Sequence, residues 1–240
     1  MGALFNEILY KPLFNGLVFL YNSVALGDLG LAIIFLTVLI RIILFPLFHE
    51  SLRHQRLTQE LQPHIKKIQE THKESKEAQT KAILELYAHH KANPLTPIIL
   101  ILIQLPILFM LFKIFNGGIN EESLSFLYSF VSRPETINHT LLGLVDLSRT
   151  SFYIVILATA TQYLQSILSI PKLKPGANLT QAEKIGRSMV YVGPVITAVV
   201  LINLPAALGL YWLTTTVFSI FQQVIINRTF SHGKPEGTNI

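Results

Sequence analysis

Arg41 is the residue of this sequence whose chemistry is least expected from its surroundings. It lies in the stretch LAIIFLTVLIRIILFPL, residues 31–47, which is apolar enough to enter a lipid bilayer. An arginine at the centre of a membrane helix raises the free energy of insertion by about 2.5–3.5 kcal/mol. That cost falls when water and polar side chains surround the guanidinium, and a guanidinium kept in such a place can attract acidic groups.

Polar residues in four apolar segments lie at a depth similar to that of Arg41. Thr37 precedes Arg41 by one helical turn, and Gln104 lies almost as deep in its own segment. Two later segments contribute Gln162, Gln165, Ser166 and Ser169, and Tyr211, Thr215, Ser219 and Gln222. The second of these sets has the spacing of one helical face. Because all of these residues are biased toward one leaflet, they predict a hydrated cavity that is open to one side of the membrane.

Two simpler interpretations stay open at this point. The long side chain of Arg41 could extend to the nearby membrane surface, with its charged end in water. Each serine, threonine and glutamine could serve only to bond one packed helix to another. The other halves of the segments are filled with residues such as Ile107, Phe109 and Ile154, and this disfavours a continuous aqueous pore.

The composition is that of a membrane protein. Hydrophobic residues make up 50% of the chain and charged residues 14%, and the mean hydropathy is +0.47. Soluble proteins contain about 25% charged residues. The apolar residues occur in blocks of roughly the 20 residues that a helix needs to cross a bilayer. We therefore predict five transmembrane helices, at residues 29–48, 97–115, 152–170, 189–204 and 206–226.

The remaining segments complete a predicted all-α membrane protein. Residues 1–28 are predicted to form an amphipathic helix at the outer membrane interface, kinked at Pro12, and a lead-in to the first span. Residues 49–96 are rich in helix-forming residues and predict a cytoplasmic helical hairpin with a thin apolar seam. An outer loop (116–151), a cytoplasmic loop (171–188) and a short cytoplasmic tail (227–240) account for the rest.

The basic residues indicate which side of the membrane each segment faces. Residues 49–96 hold eight lysines and arginines. Further basic residues of the loop 171–188 and the tail are Lys172, Lys174, Lys184, Arg187, Arg228 and Lys234. By the positive-inside rule these segments are cytoplasmic, so we expect the amino terminus outside and the carboxyl terminus inside. The formal net charge of +5 therefore follows membrane topology and does not indicate nucleic-acid recognition.

The sequence argues against a catalytic or metal site. It has no cysteine, and the six histidines of residues 49–96 lack the paired spacing of a zinc site. The HExxH and GxSxG motifs are absent, and both aspartates, Asp28 and Asp146, lie outside the predicted spans. We predict that the protein is not an enzyme and that it uses no cofactor and no metal ion.

Several short motifs occur in an order that is specific in combination. The first span contains Arg41, with Thr37 one turn before it and Pro46 after it. It is followed by LQP (61–63), Tyr87 in LELYAHH, NPL (93–95), QLPILFML (104–111) and LPAALGLYWLTTTVFSIFQQ (204–223). In these motifs the chain resembles the YidC/Oxa family of membrane protein insertases, from about residue 29 to residue 228. It departs from the family pattern in TPIIL (96–100), which replaces a Gly-Cys-x-Pro segment, and in Thr215, where asparagine is usual.

The resemblance implies an insertase and chaperone of the bacterial plasma membrane. Its positively charged, hydrophilic groove would be open to cytoplasm and lipid, accept nascent membrane proteins and release their helices into the bilayer. The residues expected to line this groove are Arg41, Thr37, Gln104, Gln162, Gln165, Tyr211, Trp212, Thr215, Ser219 and Gln222. The ribosome, the signal recognition pathway and the Sec translocon are further candidate partners.

A small-solute transporter or channel is the alternative function. Such proteins also carry polar residues within the membrane. Inverted repeats are common in transporters, and we find no convincing inverted pair in this sequence. Ion flux through reconstituted vesicles would distinguish the two classes.

Overall fold

The computed structural model describes residues 6–117, 121–170 and 181–232, and the protein is mostly helical (74%). Three residues used in the topology argument, Lys172, Lys174 and Lys234, lie outside the described residues. So do residues 1–5 of the predicted amino-terminal helix, most of the predicted loop 171–188 and the end of the predicted tail.

The described part of the chain begins with a π-helical turn, Asn6–Tyr10, which leads into helix α1 (Lys11–Asn22). The next helices are α2 (Leu29–Ile43), α3 (Phe45–Glu60), α4 (Gln62–Thr71), α5 (Lys76–His89) and α6 (Thr96–Gly117). A short helix, α7 (Glu121–Leu124), precedes two antiparallel strands, β1 (Thr140–Leu141) and β2 (Val145–Asp146). The described chain ends with α8 (Phe152–Ser169), α9 (Gln181–Leu201) and α10 (Ala206–His232).

Several of these helices have the length and composition of membrane spans. Within the described ranges, Phe152–Ser169 and Ala206–Thr229 are long and apolar enough to cross a bilayer. Helices α2 and α3 together pass the same test as one bent span, and Leu102–Phe115 and Val190–Leu201 are shorter apolar helical segments. This architecture agrees with an all-α membrane protein, to which the two-residue strands are a minor addition.

The predicted span 29–48 is not one straight helix. The carboxylate of Asp28 caps its start by accepting the N–H of Leu31 at 2.8 Å, and α2 ends at Ile43. The chain then bends by 67° into α3. Pro46 lies in the first turn of α3, where its missing N–H removes no helical hydrogen bond. The bend carries Phe48 away from the line of α2.

Helix α10 occupies the centre of the helical packing. It contacts α2, α3 and α6 on one side and α8 and α9 on the other. Gly209 allows the approach of α8, because a Cβ atom there would lie 2.7 Å from Cγ2 of Ile154. Helix α8 also packs along α9, whereas α9 and α10 make few contacts with each other despite their short connection. Helix α10 therefore joins two groups of helices.

Helix α1 buries its apolar face inside the protein. Phe14, Leu17 and Val18 are buried in the main hydrophobic core, and α1 packs against α2. Ile8 and Phe19 remain exposed. The predicted kink at Pro12 corresponds to the start of α1, where the π-helical turn ends and the proline occupies the first turn. The amphipathic pattern of this segment thus serves internal packing over most of its apolar face.

A buried asparagine of α1 holds the segment that follows α7. The Nδ2 group of Asn15 donates to the carbonyl oxygen of Phe126 at 2.9 Å, and its Oδ1 atom accepts from the N–H of Tyr128 at 2.6 Å. A second Nδ2 bond, to the carbonyl oxygen of Lys11 at 2.8 Å, stays within the helix. Two of the three hydrogen bonds of the Asn15 amide therefore fix this segment to α1.

Further polar contacts fix the rest of the segment between α7 and α8. The Tyr21 hydroxyl accepts from the N–H of Asn138 at 2.9 Å, and the Asp28 carboxylate accepts from the N–H of Leu142 at 2.6 Å. Near the start of α10, the N–H groups of Ala206 and Ala207 donate to the carbonyl oxygens of Arg149 and Leu147, at 2.8 and 3.1 Å. These bonds satisfy two of the amide groups that a helix start leaves open.

Gly30 marks the closest approach between α2 and the β-hairpin. A Cβ atom at Gly30 would lie 2.5 Å from Cδ1 and 2.8 Å from Cα of Leu141. We expect Gly30→Ala to lower stability by about 1–3 kcal/mol through overpacking. Gly193→Ala is the matched control in α9, since its Cβ atom would meet nothing closer than 3.7 Å. The check is the thermal midpoint of both variants in detergent, and equal midpoints would contradict the prediction.

Helices α4 and α5 pack on each other around a small separate cluster. Leu61, Ile65 and Ala92 are buried there, with Leu57 and Tyr87 among the partly buried residues around them. The cluster is distinct from the main core. Its small size means that few apolar contacts stabilise this pair of helices.

Two ionisable groups of this pair have shifted pKa values. Burial raises the pKa of the Tyr87 hydroxyl. Burial lowers the pKa of His90, and the nearby His89 and His64 lower it further. His90 is therefore neutral at neutral pH and adds nothing to the positive charge of residues 49–96.

Candidate functional site: a polar cavity around Arg41

A cavity of about 400 Å³ lies between α2, α6, α8 and α10, beside the bend into α3. Polar groups and apolar side chains share its wall. Its lining residues are Arg41, Phe48, Gln104, Leu105, Leu108, Gln162, Gln165, Tyr211, Trp212, Thr215, Thr216 and Ser219. Eight of the ten predicted groove residues are among them.

The side chain of Arg41 is buried, with only 4% of its surface exposed, and it does not extend to the protein surface. Its Nη2 group donates to the carbonyl oxygen of Thr215 at 2.8 Å and to the hydroxyl of Ser219. The guanidinium carbon lies 4.1 Å from the centre of the Phe48 ring and 5.8 Å from that of Phe218. These are cation–π distances, and such contacts help to hold a desolvated charge.

The positive charge of Arg41 is not neutralised within the described parts of the chain, where no carboxylate pairs with it. Its Nε and Nη1 atoms are buried and have no hydrogen-bond partner among the same residues. A buried guanidinium with free donors attracts acceptor oxygens, above all those of carboxylates. The cavity therefore suits an anionic or hydrogen-bond-accepting group.

Two pairs of polar side chains connect the helices around the cavity. The Gln104 amide of α6 donates to the hydroxyl of Tyr211 in α10. The indole Nε1 of Trp212 donates to Oε1 of Gln162 in α8 at 3.2 Å. Gln162 in turn donates to Gln165 at 3.4 Å. These bonds fix the aromatic rings of α10 as part of the cavity wall.

Thr37 and Gln222 do not line the cavity. The buried hydroxyl of Thr37 donates to the carbonyl oxygen of Ile33 at 2.6 Å, within its own helix. The amide of Gln222 is also buried, and its Nε2 atom lies 3.4 Å from the carbonyl oxygen of Phe45 at the bend. Ser169 likewise bonds to its own helix, through the carbonyl oxygen of Gln165. The polar groups of these residues therefore support the helices around the cavity.

Four lining residues were absent from the predicted set: Phe48, Leu105, Leu108 and Thr216. The signal for Phe48 was Pro46, whose place two residues earlier favours the start of a new helix. Thr216 lines the cavity beside Thr215 because the cavity is wide enough to contact more than one row of side chains on α10. Leu105 and Leu108 have no sequence signal, since they look like any lipid-facing leucine.

A smaller apolar pocket of about 200 Å³ shares Leu108 and Trp212 with the polar cavity. Its other lining residues are Phe109, Phe112, Val200, Leu201, Leu204 and Leu208. The polar wall thus gives way to an apolar one across these two shared side chains. In addition, residues 6–117, 121–170 and 181–232 contain no group of three or more His, Cys, Asp or Glu residues that could hold a metal ion.

Comparison with known proteins agrees with the motifs. The family model described as 60Kd inner membrane protein matches residues 19–234. Membrane protein insertase YidC of Geobacter sulfurreducens is 32% identical over 226 residues, which cover 93% of this chain and 38% of that protein. Membrane protein insertase YidC of Fusobacterium nucleatum is 33% identical over 221 residues, which cover 91% of this chain and 96% of that protein.

The two relatives differ in how much of their length is matched. The chain spans less than two fifths of the Geobacter protein and nearly all of the Fusobacterium protein. The residues that the family model matches, 19–234, include the helices that surround Arg41. The chain belongs to the 60Kd inner membrane protein family, the YidC/Oxa family of membrane insertases.

Proposed function

We propose that this protein inserts nascent membrane proteins into the bacterial inner membrane and assists their folding there as a chaperone. The observation that carries the proposal is the buried, unneutralised guanidinium of Arg41 in a polar cavity between membrane helices. Membership of the family supports it, as do the two relatives, which are named membrane protein insertases. The cavity is the groove that receives a substrate segment.

The polar part of a substrate presents the main barrier to insertion. Moving its apolar side chains from water to lipid is favourable by about 0.8 kcal/mol per buried methylene, so the substrate helix itself drives the process. Arg41 attracts acidic residues of the segment that must cross. Gln104, Gln165 and Ser219 offer hydrogen bonds to that segment over part of its passage across the membrane. The apolar path that remains is therefore shorter.

Tyr211 and Trp212 form the surface along which the substrate helix leaves. Aromatic rings with a polar edge suit a boundary between a wet and an apolar environment. Trp212 also borders the apolar pocket, so a helix that slides past it exchanges polar neighbours for apolar ones. Thr37 and Gln222 are not substrate contacts in this proposal, because their polar groups bond or face the backbone.

The proposed arrangement in the membrane has five spans, at residues 29–48, 97–115, 152–170, 189–204 and 206–226. The amino terminus is outside and the carboxyl terminus cytoplasmic, since the basic residues of 49–96 favour the cytoplasm. Helices α4 and α5 form a cytoplasmic hairpin that first receives the substrate. The ribosome, the signal recognition pathway and the Sec translocon are candidate partners of that hairpin. Helix α1 and the π-helical turn before it lie at the outer interface, where the exposed Ile8 and Phe19 face lipid.

Small-solute transport is the second candidate, because it would also use a polar cavity within the membrane. The apolar lining of the adjoining pocket argues against a polar path through the described helices. Ion or solute flux in vesicles that contain the purified protein separates the two functions. Insertion without flux supports the insertase.

Site-specific photocrosslinking tests the proposed groove directly. A photoreactive residue in place of Gln104 or Thr216 should crosslink to a stalled nascent membrane protein, since both positions line the cavity. Phe221 is the matched control on α10, because 67% of its surface is exposed and it does not line the cavity. The measurement is the crosslinked fraction at equal expression. Equal yields from cavity and control positions would contradict a substrate-binding role of the cavity.

A further inference from the structure

Two turns at one end of the molecule carry exposed leucines in a backbone conformation that favours glycine. Leu26 has a φ angle of +51° and 89% of its surface exposed. Leu142 has a φ angle of +52° and 62% of its surface exposed. Leu144, two residues further on, is 83% exposed. We call Leu26, Leu142 and Leu144 the leucine patch.

Leucine is an unfavourable choice for both turns if water surrounds them. The left-handed conformation brings Cβ too close to the following carbonyl oxygen, so glycine, asparagine and aspartate are the usual residues there. Each leucine is followed by a glycine that also has a positive φ angle, Gly27 at +79° and Gly143 at +69°. These positions thus combine backbone strain with exposed apolar surface. An apolar environment would remove the free-energy cost of exposing the leucine side chains to water.

The two turns are held together as one surface. The Asp28 carboxylate caps α2 through the N–H of Leu31 and also accepts the N–H of Leu142. Gly30 lets the backbone of Leu141 pack directly against α2, where a side chain would collide with it. The turn before α2 and the β1–β2 turn are therefore fixed to each other.

The position and composition of the patch select the membrane as its partner. It lies next to Leu29, where α2 begins, and the same end of the molecule carries the start of α8, with exposed Phe152 and Tyr153. Residues 23–27 and 140–145 contain no charged side chain. Exposed apolar turns beside the ends of apolar helices have the character of an interfacial anchor, and exposed aromatic residues at such ends are typical of the membrane interface.

We propose that the leucine patch inserts into the headgroup region of the bilayer and anchors the turn before α2 and the β1–β2 turn at the membrane surface. This inference depends on the protein being a membrane protein, and not on the proposed insertase function. The occupant of the patch is lipid, and a protein partner on the same surface is an alternative that the experiment separates.

The absence of cysteine from the chain makes a clean test possible. Leu144→Cys, in the full chain, is labelled with an environment-sensitive fluorophore and reconstituted into vesicles of phosphatidylethanolamine and phosphatidylglycerol. Lipids with a nitroxide near the headgroup should quench about half of the emission or more, since interfacial groups lie about 5–10 Å into the headgroup boundary. Glu135→Cys is the matched control, because it is exposed in the same connecting segment. It should show little quenching.

A second labelled position, Leu26→Cys, tests whether the turns act as one patch. We expect it to be quenched as strongly as the label at position 144. Quenching at position 144 no greater than at position 135 would overturn the proposal. A blue-shifted emission without nitroxide quenching would also overturn it, since it would show that protein covers the patch. Circular dichroism and gel filtration of each labelled variant verify that the fold is retained.

Discussion

Replacing Arg41 with alanine should lower the insertion of a substrate with an acidic translocated segment about tenfold. Two unit charges at 4 Å attract each other by about 1 kcal/mol in water and about 4 kcal/mol in a partly desolvated site, and 1.4 kcal/mol corresponds to a factor of ten. Arg41→Lys keeps the charge and should retain most of the insertion. It loses the planar contact with Phe48, so we expect it to fall slightly below the original protein.

The structure allows this effect to be separated from misfolding. The carbonyl oxygen of Thr215 also accepts from the Ser219 hydroxyl at 3.0 Å, so removal of Arg41 leaves neither group without a partner. The Nε and Nη1 donors, which have no partner among the described residues, disappear with the side chain. We therefore expect the thermal midpoint of Arg41→Ala to be close to that of the original protein.

The assay is insertion into vesicles at matched protein levels, with two substrates that differ only in the acidic residues of the translocated segment. The neutral substrate should depend less on Arg41. If all three forms insert both substrates equally well, the charge has no part in substrate capture. If Arg41→Ala also unfolds at a much lower temperature, the residue acts through the fold.

Replacing Asn15 with alanine should lower stability by about 1–3 kcal/mol, because two backbone groups of half-buried residues lose their partner and a buried unsatisfied group costs about 1–3 kcal/mol. The affected groups are the carbonyl oxygen of Phe126 and the N–H of Tyr128. Asn22→Ala is the matched control. Its side chain is exposed and donates a single bond, to the carbonyl oxygen of Ser132 at 2.6 Å. We expect that variant to change stability by less than about 0.5 kcal/mol.

Limited proteolysis and thermal denaturation measure this difference. In Asn15→Ala the segment between α7 and β1 should be cut faster, because the contact that holds it to α1 is gone. The cleavage rate of Asn22→Ala should be near that of the original protein. Equal rates for the two variants would mean that the buried amide is not what fixes this segment.

The grouping of several site residues could be predicted from the sequence, because the distance of a residue from the end of its helix is the residue count multiplied by a fixed rise. Arg41 and Gln104 were expected at one level, and both line the same cavity. The helical period also placed Tyr211, Thr215 and Ser219 on one face, as the structure has them. These inferences need only the geometry of single helices.

The hydrogen-bond partner of each polar side chain could not be predicted from the sequence. Thr37 is on the expected helix at the expected depth, but a threonine hydroxyl in a helix can always turn back to the carbonyl oxygen four residues earlier. Gln222 approaches the carbonyl oxygen of Phe45 because α3 starts there after the 67° bend. That neighbour depends on an angle between two helices, which no local pattern specifies.

The role of α1 was ambiguous for a different reason. An amphipathic helix has the same pattern whether its apolar face meets lipid or the interior of the protein. Phe14 and Leu17 are buried in the main core, and Asn15, on the same helix, bonds a segment more than one hundred residues later in the chain. Such a long-range partner leaves no periodic signal in the sequence.

The central place of α10 has a consequence for the biosynthesis of the protein itself. The helices that α10 contacts, α2, α3 and α6 on one side and α8 and α9 on the other, are all synthesised before it. The hydrogen-bond partners of Arg41 lie 174 and 178 residues later in the chain. Until α10 has left the ribosome, the guanidinium of Arg41 lacks its partners Thr215 and Ser219. The cavity then also lacks the side chains that α10 contributes to its wall. Translation must therefore pass α10 before the cavity around Arg41 is complete.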